Sequence, residues 1–507
     1  MKPDKITTHN YFPKDFLEMY TKKFTILHSN DMHGDFLAEV AGESGELIGG
    51  LALLSGYLNK VRSEEENVLY VIAGDMVQGS LIDSEYKGIS TIEIMNYLSP
   101  DVVTLGNHEL DYGLKHLLFL ERMANFPIVN ANLYIKKYHK RLMMPHVILK
   151  KAGFDILFIG IITEKVMDSI ARDGEIGSFI SLEEARTEIG RICNAYRNSD
   201  IDLTVLLTHI GFDSDRELAR MLDPIWGVDL IIGGHSHTVL ERPACENNIL
   251  IVQAGVGTNQ VGRFDLTVDD DTNSIVEWQW RLVDISEKNA PADQKLTDFI
   301  DSFRQVVDRK YNTLVCRFAT TLSHPCREEE TTLGNLVADI LQKCAECDVM
   351  LMGSGAIRSQ ELGPAVTLGE FRACFPFDDT LNRVTITGEQ LRRIFSHIMR
   401  RENRDGEGEC YQVNAAVRAV YDDQKRSLES LEVNGVMVND MRHYTLGLTG
   451  YHADNCTKNI NITPEELAWR GGFLVIATST TNVIEEYLRA HPNLTSRIEG
   501  RLVFRAA

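Results

Sequence analysis

The chain has 507 residues, of which 44% are hydrophobic and 25% are charged. These proportions are typical of a globular protein and exclude fibrous and largely disordered chains, and the length predicts two domains. The formal net charge of −21, from 73 acidic and 52 basic residues, argues against a nucleic-acid polymer as partner, although a locally positive cleft could still bind a small phosphorylated substrate.

The first 22 residues form an N-terminal extension in which charged residues and prolines are mixed throughout. The extension lacks the continuous apolar segment and cleavage site of a secretory signal, and the chain has no run of about 18 apolar residues. We therefore expect a cytoplasmic protein without a membrane span.

The nine cysteines suit a reducing compartment, and the isolated pair Cys344 and Cys347 has no second pair at zinc-site spacing.

Short apolar runs alternate with amphipathic stretches between Phe24 and about Val283. The runs FTILHS, VLYVIAGD, LTVLLTH and DLIIGGH are predicted strands, and ELIGGLALLSGYLNKVRSEEE is a predicted helix. Later runs, such as NILIVQAG, RFDLTVDD and IVEWQWRLVD, are separated by turn residues instead of helices. The pattern predicts an α/β layered domain with a mixed sheet over residues 23–288.

A predicted helix at residues 289–314 links this domain to a second α/β domain at residues 315–507. The linker sequence begins with proline and acidic residues and has apolar positions at helical spacing. The second region begins with a predicted helix, TTLGNLVADILQKC, that runs into a strand. This region is long enough to contain a core of its own.

Five short motifs with metal-binding residue types follow predicted strands of the first domain. They are SNDMHGD, AGDMVQGS, GNHELDYG, LTHIGF and GGHSHT. Helix capping or core packing could explain each motif alone. Because α/β sheets bind ligands at the carboxyl ends of their strands, five such motifs are expected to converge at one edge. The seven candidate ligands are Asp31, His33, Asp75, Asn107, His209, His235 and His237.

The chemistry of these side chains indicates the class of metal. Imidazole, carboxylate and amide-oxygen donors suit borderline divalent cations such as Zn²⁺, Mn²⁺ or Fe²⁺, whereas thiolates would indicate structural zinc. Seven ligands are too many for one ion. A bridging Asp75 would divide them between two ions roughly 3.5 to 4 Å apart, the spacing that clamps the oxygens of an in-line displacement. The motifs therefore predict a phosphoesterase in which a metal-bound hydroxide attacks phosphorus.

The order of these motifs resembles the calcineurin-like metallophosphoesterase superfamily over residues 24–240. The resemblance implies a four-layer α/β/β/α sandwich. It assigns one metal to Asp31, His33, Asp75 and His237, and the other to Asp75, Asn107, His209 and His235. In that family a His-Asp pair stabilises the transition state or protonates the leaving group, which implies these catalytic roles for His108 and Asp111.

The two-domain layout resembles the 5′-nucleotidase family, whose second domain supplies the substrate pocket. CREEETTLGNLVAD and GSGAIRS resemble the family's arginine-bearing segments, which implies that Arg327 and Arg358 contact the phosphate. FPFDDTL resembles the turn that stacks an aromatic residue, here Phe377, on the base, and Asn107 would also contact the substrate. The family's glycine-aspartate-glycine-aromatic segment is absent. LTGYHADNC stands in its place, with Tyr451 as the candidate stacking residue.

The leading prediction is a phosphohydrolase of nucleotide catabolism that removes the 5′-phosphate from nucleoside monophosphates. The altered C-terminal segment keeps cyclic nucleotides, nucleotide sugars and other small phosphate esters as alternative substrates. A nucleotide-binding sensor and a structural metal protein are the non-enzymatic alternatives. The complete ligand set with His108 argues against a sensor. Structural sites are usually closed and four-coordinate, whereas a dinuclear set with Asn and His leaves positions open for water, which argues against a structural role. The sequence indicates neither the oligomeric state nor which of these divalent metals is the native one.

Overall fold

The structure of the protein is a computed structural model, which describes residues 21–41, 45–135, 140–162, 178–179, 181–404, 410–468 and 471–505. The chain divides into two compact units, Met1–Val307 and Asp308–Ala507. The division falls inside the segment predicted as a linker helix, and most of the predicted N-terminal extension lies outside the described residues. Within the described ranges, the helices are too short or too polar to cross a membrane.

Strands and helices alternate through much of the first unit, as predicted. Its strands are β1 (Thr21–Ser29), β2 (Glu39–Ala41), β3 (Glu46–Ile48), β4 (Val68–Ala73), β5 (Val102–Thr104), β6 (Ile128–Val129), β7 (Leu133–Ile135), β8 (Lys140–Arg141), β9 (His146–Lys151), β10 (Phe154–Ile162), β11 (Ser178–Phe179), β12 (Leu203–His209), β13 (Leu230–Ile232), β14 (Ala244–Glu246), β15 (Ile249–Val252), β16 (Gln260–Asp269) and β17 (Ser274–Asp284). Its helices are α1 (Leu51–Glu64), α2 (Leu81–Tyr86), α3 (Ile89–Leu98), α4 (Leu114–Met123), α5 (Leu182–Ala195) and α6 (Phe212–Met221), and α7 (Gln294–Tyr311) crosses the division between the units.

Two six-stranded mixed sheets form the centre of this unit. The first has the order β17-β16-β1-β4-β5-β6, and the second has the order β14-β15-β13-β12-β10-β9. In the first sheet β1 is parallel to β4 and antiparallel to β16. In the second, β10, β12, β13 and β15 are parallel, and β9 and β14 are antiparallel edges. The prediction of a mixed sheet is therefore confirmed.

The two sheets face each other across a shared apolar core, and helices cover their outer faces. The core side chains of β1 include Phe24 and Ile26, which pack in one cluster with Val205 of β12 and Phe264 of β16. The opposite face of the second sheet packs against α5 and α6 in a separate cluster. Strands buried on both faces consist of continuous apolar runs, as in β4. The result is the predicted four-layer α/β/β/α sandwich.

One predicted helix begins later than its sequence pattern suggests. The apolar spacing of ELIGGLALLSGYLNKVRSEEE predicts a single helix, but Glu46–Ile48 forms β3, which pairs with β2. Gly49 and Gly50 follow with φ of 65° and 77°, a conformation that glycine adopts without steric cost. The helix α1 therefore begins only at Leu51.

The second unit also mixes strands and helices. Its strands are β18 (Leu314–Arg317), β19 (Leu322–Ser323), β20 (Val349–Gly353), β21 (Glu361–Leu362), β22 (Ala365–Thr367), β23 (Leu381–Thr387), β24 (Tyr411–Val413), β25 (Val417–Asp422), β26 (Ser427–Val433), β27 (Val436–Met437), β28 (His443–Thr449), β29 (Leu474–Ala477) and β30 (Leu502–Arg505). Its helices are α8 (Thr332–Ala345), α9 (Leu368–Cys374), α10 (Gly388–Ile398), α11 (Gly450–Asp454), α12 (Cys456–Ile460), α13 (Pro464–Ala468) and α14 (Thr480–Ala490).

A five-stranded sheet, ordered β24-β20-β28-β23-β29, organises the core of the second unit. The predicted helix TTLGNLVADILQKC is α8, which Thr331 caps by accepting a hydrogen bond from the Gly334 N–H, and it leads into β20 as expected. Cys344 is exposed and Cys347 is buried, and all nine cysteines are free thiols. Separate apolar clusters on the two faces of this sheet give the unit its own core.

Candidate active site

The five motifs of the first unit converge at the carboxyl ends of its central strands. Asp31, Asp75 and Asn107 follow β1, β4 and β5 of the first sheet, while His209 ends β12 and His235 follows β13 of the second. The side chains of the two sheets meet there, because His209 Nε2 lies 3.0 Å from Asp75 Oδ2. The convergence expected from strand order is confirmed within this unit.

One group of donor atoms surrounds the ring nitrogens of His33 and His237. The two Nε2 atoms lie 3.1 Å apart, and His237 Nε2 lies 3.4 Å from Asp31 Oδ1. His33 Nε2 is 4.0 Å from Asp75 Oδ2. Asp31 is fully buried, and Asn30 donates a 2.7 Å hydrogen bond to its other carboxylate oxygen.

A second group of donor atoms surrounds the amide oxygen of Asn107. Its Oδ1 lies 2.8 Å from His235 Nδ1 and 3.2 Å from His209 Nε2. His209 Nδ1 donates to the Ala73 carbonyl at 2.8 Å, which leaves Nε2 to face the cluster. The Oδ2 atom of Asp75 approaches His33 in the first group and His209 in the second. The two groups therefore meet at Asp75.

These donor atoms fit divalent cations. In three sets, the carboxylate and imidazole atoms lie within 4.8 Å of one another. The sets are Asp31 with His33 and His237, Asp31 with Asp75 and His209, and His33 with Asp75 and His108. Imidazole nitrogens as close as those of His33 and His237 either share a proton or direct their lone pairs at one cation. Neutral imidazoles, carboxylates and an amide oxygen together form a donor set suited to zinc, manganese or iron.

The backbone of the candidate ligands is unusual. Five of the seven have positive φ: Asp31 (50°), His33 (49°), Asp75 (52°), His235 (81°) and His237 (53°). Non-glycine residues in this region are strained by about 1–3 kcal/mol each, and such strain persists only where the surrounding structure enforces it. The sequence motifs identify the residue types here but carry no signal for this conformation.

His108 lies beside the two donor groups and is paired with Asp111. The His108 backbone N–H donates to Asp75 Oδ1 at 2.9 Å, and the ring centroids of His108 and His33 are 5.2 Å apart. His108 Nδ1 lies 2.6 Å from Asp111 Oδ2. The pKa of His108 is raised, mainly by this hydrogen bond. Because Asp111 engages Nδ1, Nε2 is the nitrogen that can act on a substrate.

Glu109 is a buried residue of the site that sequence reasoning missed. Its carboxylate accepts hydrogen bonds from the backbone N–H groups of Gly106 (2.6 Å), Met76 (2.7 Å) and Asp75 (3.0 Å). Burial, followed by the charge of Asp75, raises the pKa of Glu109 to about 7. Glu109 thus joins the loops that carry Asp75 and Asn107, and its place in the GNHE motif is the sequence signal that could have identified it.

The second unit gathers the predicted substrate-binding side chains at one end of its central sheet. The Arg358 guanidinium lies over the Phe377 ring, 4.9 Å from its centroid. Arg327 lies beside the GSGAIRS segment that carries Arg358. A Cβ placed on Gly355 of that segment would lie 3.6 Å from Arg327 Nη1. The Tyr451 N–H donates to Asp379 at 2.7 Å, which ties its segment to the turn that carries Phe377.

The segment LTGYHADNC, which departs from the expected family pattern, forms the end of β28 and the short helix α11. It places the His452 ring against Gly353, the first residue of the GSGAIRS segment, where a Cβ would lie 2.3 Å from the ring. Tyr451 is 51% exposed and Phe377 is 55% exposed. Two accessible aromatic rings are therefore present on this part of the unit.

Sequence models of two families match the chain. The model described as calcineurin-like phosphoesterase matches residues 24–239, and the model described as 5′-nucleotidase, C-terminal domain, matches residues 311–462. A 5′-nucleotidase-related protein of Glossina morsitans morsitans is 30% identical in an alignment 425 positions long, gaps included, which covers 75% of this chain and 75% of that protein. The 5′-nucleotidase of Mus musculus is 26% identical in an alignment 541 positions long, gaps included, which covers 96% of this chain and 91% of that protein.

A solved structure with a similar fold is the 5′-nucleotidase precursor from Thermus thermophilus. Its TM-score is 0.60 at 23% identity, and the similarity covers 95% of this chain and 99% of that one. The two matched families occur here in the order that the motifs predicted. The chain therefore belongs to the 5′-nucleotidase family, with a calcineurin-like phosphoesterase domain, and is a metal-dependent phosphoric ester hydrolase.

Proposed function

We propose that the protein removes the 5′-phosphate from nucleoside monophosphates at a dinuclear metal centre. The observation that carries this proposal is the meeting of two donor groups at Asp75, whose Oδ2 lies 3.0 Å from His209 Nε2 and 4.0 Å from His33 Nε2. One cation would be held by Asp31, His33, Asp75 and His237, and the other by Asp75, Asn107, His209 and His235. When bound, such a pair supplies an activated water and stabilises negative charge on the phosphate.

His108 and Asp111 have the geometry of a proton-donating pair. The 2.6 Å hydrogen bond between them favours the imidazolium form of His108. An imidazolium beside the phosphate would donate a proton to the leaving ester oxygen and offset developing negative charge. The 3-10 turn His108–Leu110 and the His108 N–H bond to Asp75 fix this histidine relative to the donor atoms.

The side chains gathered in the second unit suit the two parts of a nucleotide. Arg327 and Arg358 would bind the phosphate through charge-assisted hydrogen bonds, for which the planar guanidinium is well matched. Phe377 and Tyr451 would stack on the base, since both rings are about half exposed. The Arg358 guanidinium lies 4.9 Å from the centroid of the Phe377 ring, and this proximity supports the binding of the phosphate and the base at neighbouring positions.

The test is phosphate release by purified, Mn²⁺-loaded protein. The panel contains 5′-nucleoside monophosphates, the matched 3′-monophosphates, cyclic nucleotides, nucleotide sugars and sugar phosphates. We expect preferential turnover of the 5′-monophosphates. Activity confined to other esters would overturn the nucleotide assignment but keep the phosphoesterase centre, and a protein that binds nucleotides without turnover under Mn²⁺, Zn²⁺ or Fe²⁺ would support the sensor alternative.

A further inference from the structure

Gln253 is a fully buried amide directly after β15, at the same end of the second sheet as the candidate ligands. The sequence motifs do not include it, and it is not one of the seven candidate ligands. Its side chain forms hydrogen bonds with the loop at residues 234–238, which carries His235 and His237.

Three side-chain hydrogen bonds connect Gln253 to this loop. Gln253 Nε2 donates to the Gly234 carbonyl at 2.9 Å. Gln253 Oε1 accepts from the Ser236 hydroxyl at 3.0 Å and from the Thr238 N–H at 2.7 Å. The three partners alternate in sequence with His235 and His237, so one amide holds the residue before, between and after the two histidines.

The loop needs such support because both histidines are in the left-handed region, with φ of 81° and 53°. A strained backbone keeps its conformation only when neighbouring groups enforce it. Gln253 is suited to this task because an amide presents a donor and an acceptor at once. A carboxylate of the same shape would place an acceptor against the Gly234 carbonyl, and an apolar side chain would make none of the three bonds.

The residues that follow Gln253 are hydrogen-bonded to the loop after β1 of the first sheet. The N–H of the next residue, Ala254, donates to Asn30 Oδ1 at 2.9 Å, and Asn30 donates in turn to the Asp31 carboxylate. Gly257 N–H donates to the Asp31 carbonyl at 2.9 Å. The segment that carries Gln253 is therefore tied to the loop of Asp31, while its side chain is tied to the loop of His235 and His237.

We propose that Gln253 is a positioning residue that orients the His235 and His237 imidazoles toward the two proposed cations. The inference rests on the proposed function, because it takes both histidines as ligands, one for each cation. Loss of Gln253 should weaken both sites, since each would lose one correctly oriented imidazole. Substitution of groups that orient metal ligands typically lowers metal affinity about 10- to 100-fold.

The experiment measures Mn²⁺ binding in the absence of any substrate. Chelator-treated wild type, Gln253→Met, Gln253→Glu and the control Gln260→Met are titrated with Mn²⁺, and free Mn²⁺ is followed by electron paramagnetic resonance. Gln260 is a matched control because its Nε2 donates to the Ala254 carbonyl at 2.7 Å in the same segment. The melting temperature of each metal-free protein is recorded in parallel.

We expect two Mn²⁺ sites in the wild type and in Gln260→Met, and about 10- to 100-fold weaker binding at both sites in Gln253→Met and Gln253→Glu. Gln253→Glu keeps the shape of the side chain. If Gln253→Met does not fold, the Mn²⁺ affinity of Gln253→Glu therefore tests the proposal. Unchanged affinity in a Gln253 variant, with only a lower metal-free melting temperature, would reduce Gln253 to a stability role and overturn the proposal. A wild-type protein with fewer than two sites would instead overturn the dinuclear function on which the proposal rests.

Discussion

The two units present their candidate functional side chains in different ways. In the first unit, Asp31, Asp75 and His209 are buried, and hydrogen bonds with neighbouring groups hold them in place, while His237 is exposed. In the second unit, Phe377 and Tyr451 are 55% and 51% exposed. Arg358 is also exposed, and its guanidinium rests on the Phe377 ring. Neighbouring groups therefore hold most candidate metal ligands of the first unit in place, whereas the candidate substrate-binding side chains of the second unit form an accessible surface.

The difference in burial matches the different proposed roles of the two units, which are bond cleavage in the first and substrate binding in the second. A metal centre requires donor atoms at fixed distances, so its supporting shell is dense and its backbone is strained. A surface that bound a base and a phosphate would require only ring faces and cations at suitable spacing, and it would tolerate a different local sequence, such as LTGYHADNC. We therefore expect substitutions in the first cluster to lower kcat or metal content and substitutions in the second to raise KM.

The largest effect is expected for His108→Asn. Removal of a positioned proton donor lowers rates typically about 10²- to 10⁴-fold, so kcat should fall by that factor. Metal content, measured by inductively coupled plasma mass spectrometry, should stay at the wild-type value. His116→Asn is the control, because His116 Nε2 bonds to the Lys87 carbonyl and has no proposed catalytic role. Loss of metal from His108→Asn would show that His108 is a ligand instead.

The next effect is expected for Arg358→Met. A lost charge-assisted hydrogen bond costs roughly 1.5–3 kcal/mol, so KM for a nucleoside monophosphate should rise about 10- to 100-fold with a smaller change in kcat. Steady-state kinetics at saturating Mn²⁺ measure both constants. Arg372→Met is the matched control in the same unit, since Arg372 pairs with Glu485 at 2.9 Å. An equal rise in KM in both variants would remove the specific role of Arg358.

The metal-binding cluster was more predictable from the sequence than the surface of the second unit. Asp31, Asn107 and His235 follow apolar strands. They come together because the strands run parallel within each sheet and the two sheets pack face to face. Residue type and position after a strand are both readable in the sequence. Their backbone conformations and the hydrogen bonds of Glu109 and Gln253 depend on contacts between distant segments, which one sequence does not reveal.

Local chain reversals were also hard to predict. The two glycines before α1 end β3, yet the apolar spacing around them is compatible with one continuous helix. In the second unit the sequence indicates aromatic residues but not their exposure. Phe377 could have been a core residue beside a proline turn, and only the packing of the sheet shows that its ring is accessible.

A smaller effect, with a distinctive pH dependence, is expected for Asp111→Asn. The Asp111 hydrogen bond raises the pKa of His108, so the active imidazolium persists to higher pH and is lost as pH rises through that pKa. Without the carboxylate, the pKa of His108 should fall and the alkaline limb of the kcat profile should move to lower pH, with kcat reduced roughly 10-fold. A profile whose alkaline limb does not move would assign that limb to another group.

The smallest effect is expected for Phe377→Ala, which tests recognition of the base alone. Stacking of a base on an aromatic side chain contributes about 1–3 kcal/mol, and Tyr451 would retain part of it, so KM for AMP should rise about 10-fold. KM for ribose 5-phosphate, which has no base, should not change, and Phe377→Tyr should behave like the wild type. Since the ring is 55% exposed, its removal should leave the fold intact. A parallel rise in KM for both substrates would mean that Phe377 acts through Arg358, whose guanidinium it supports, and not through the base.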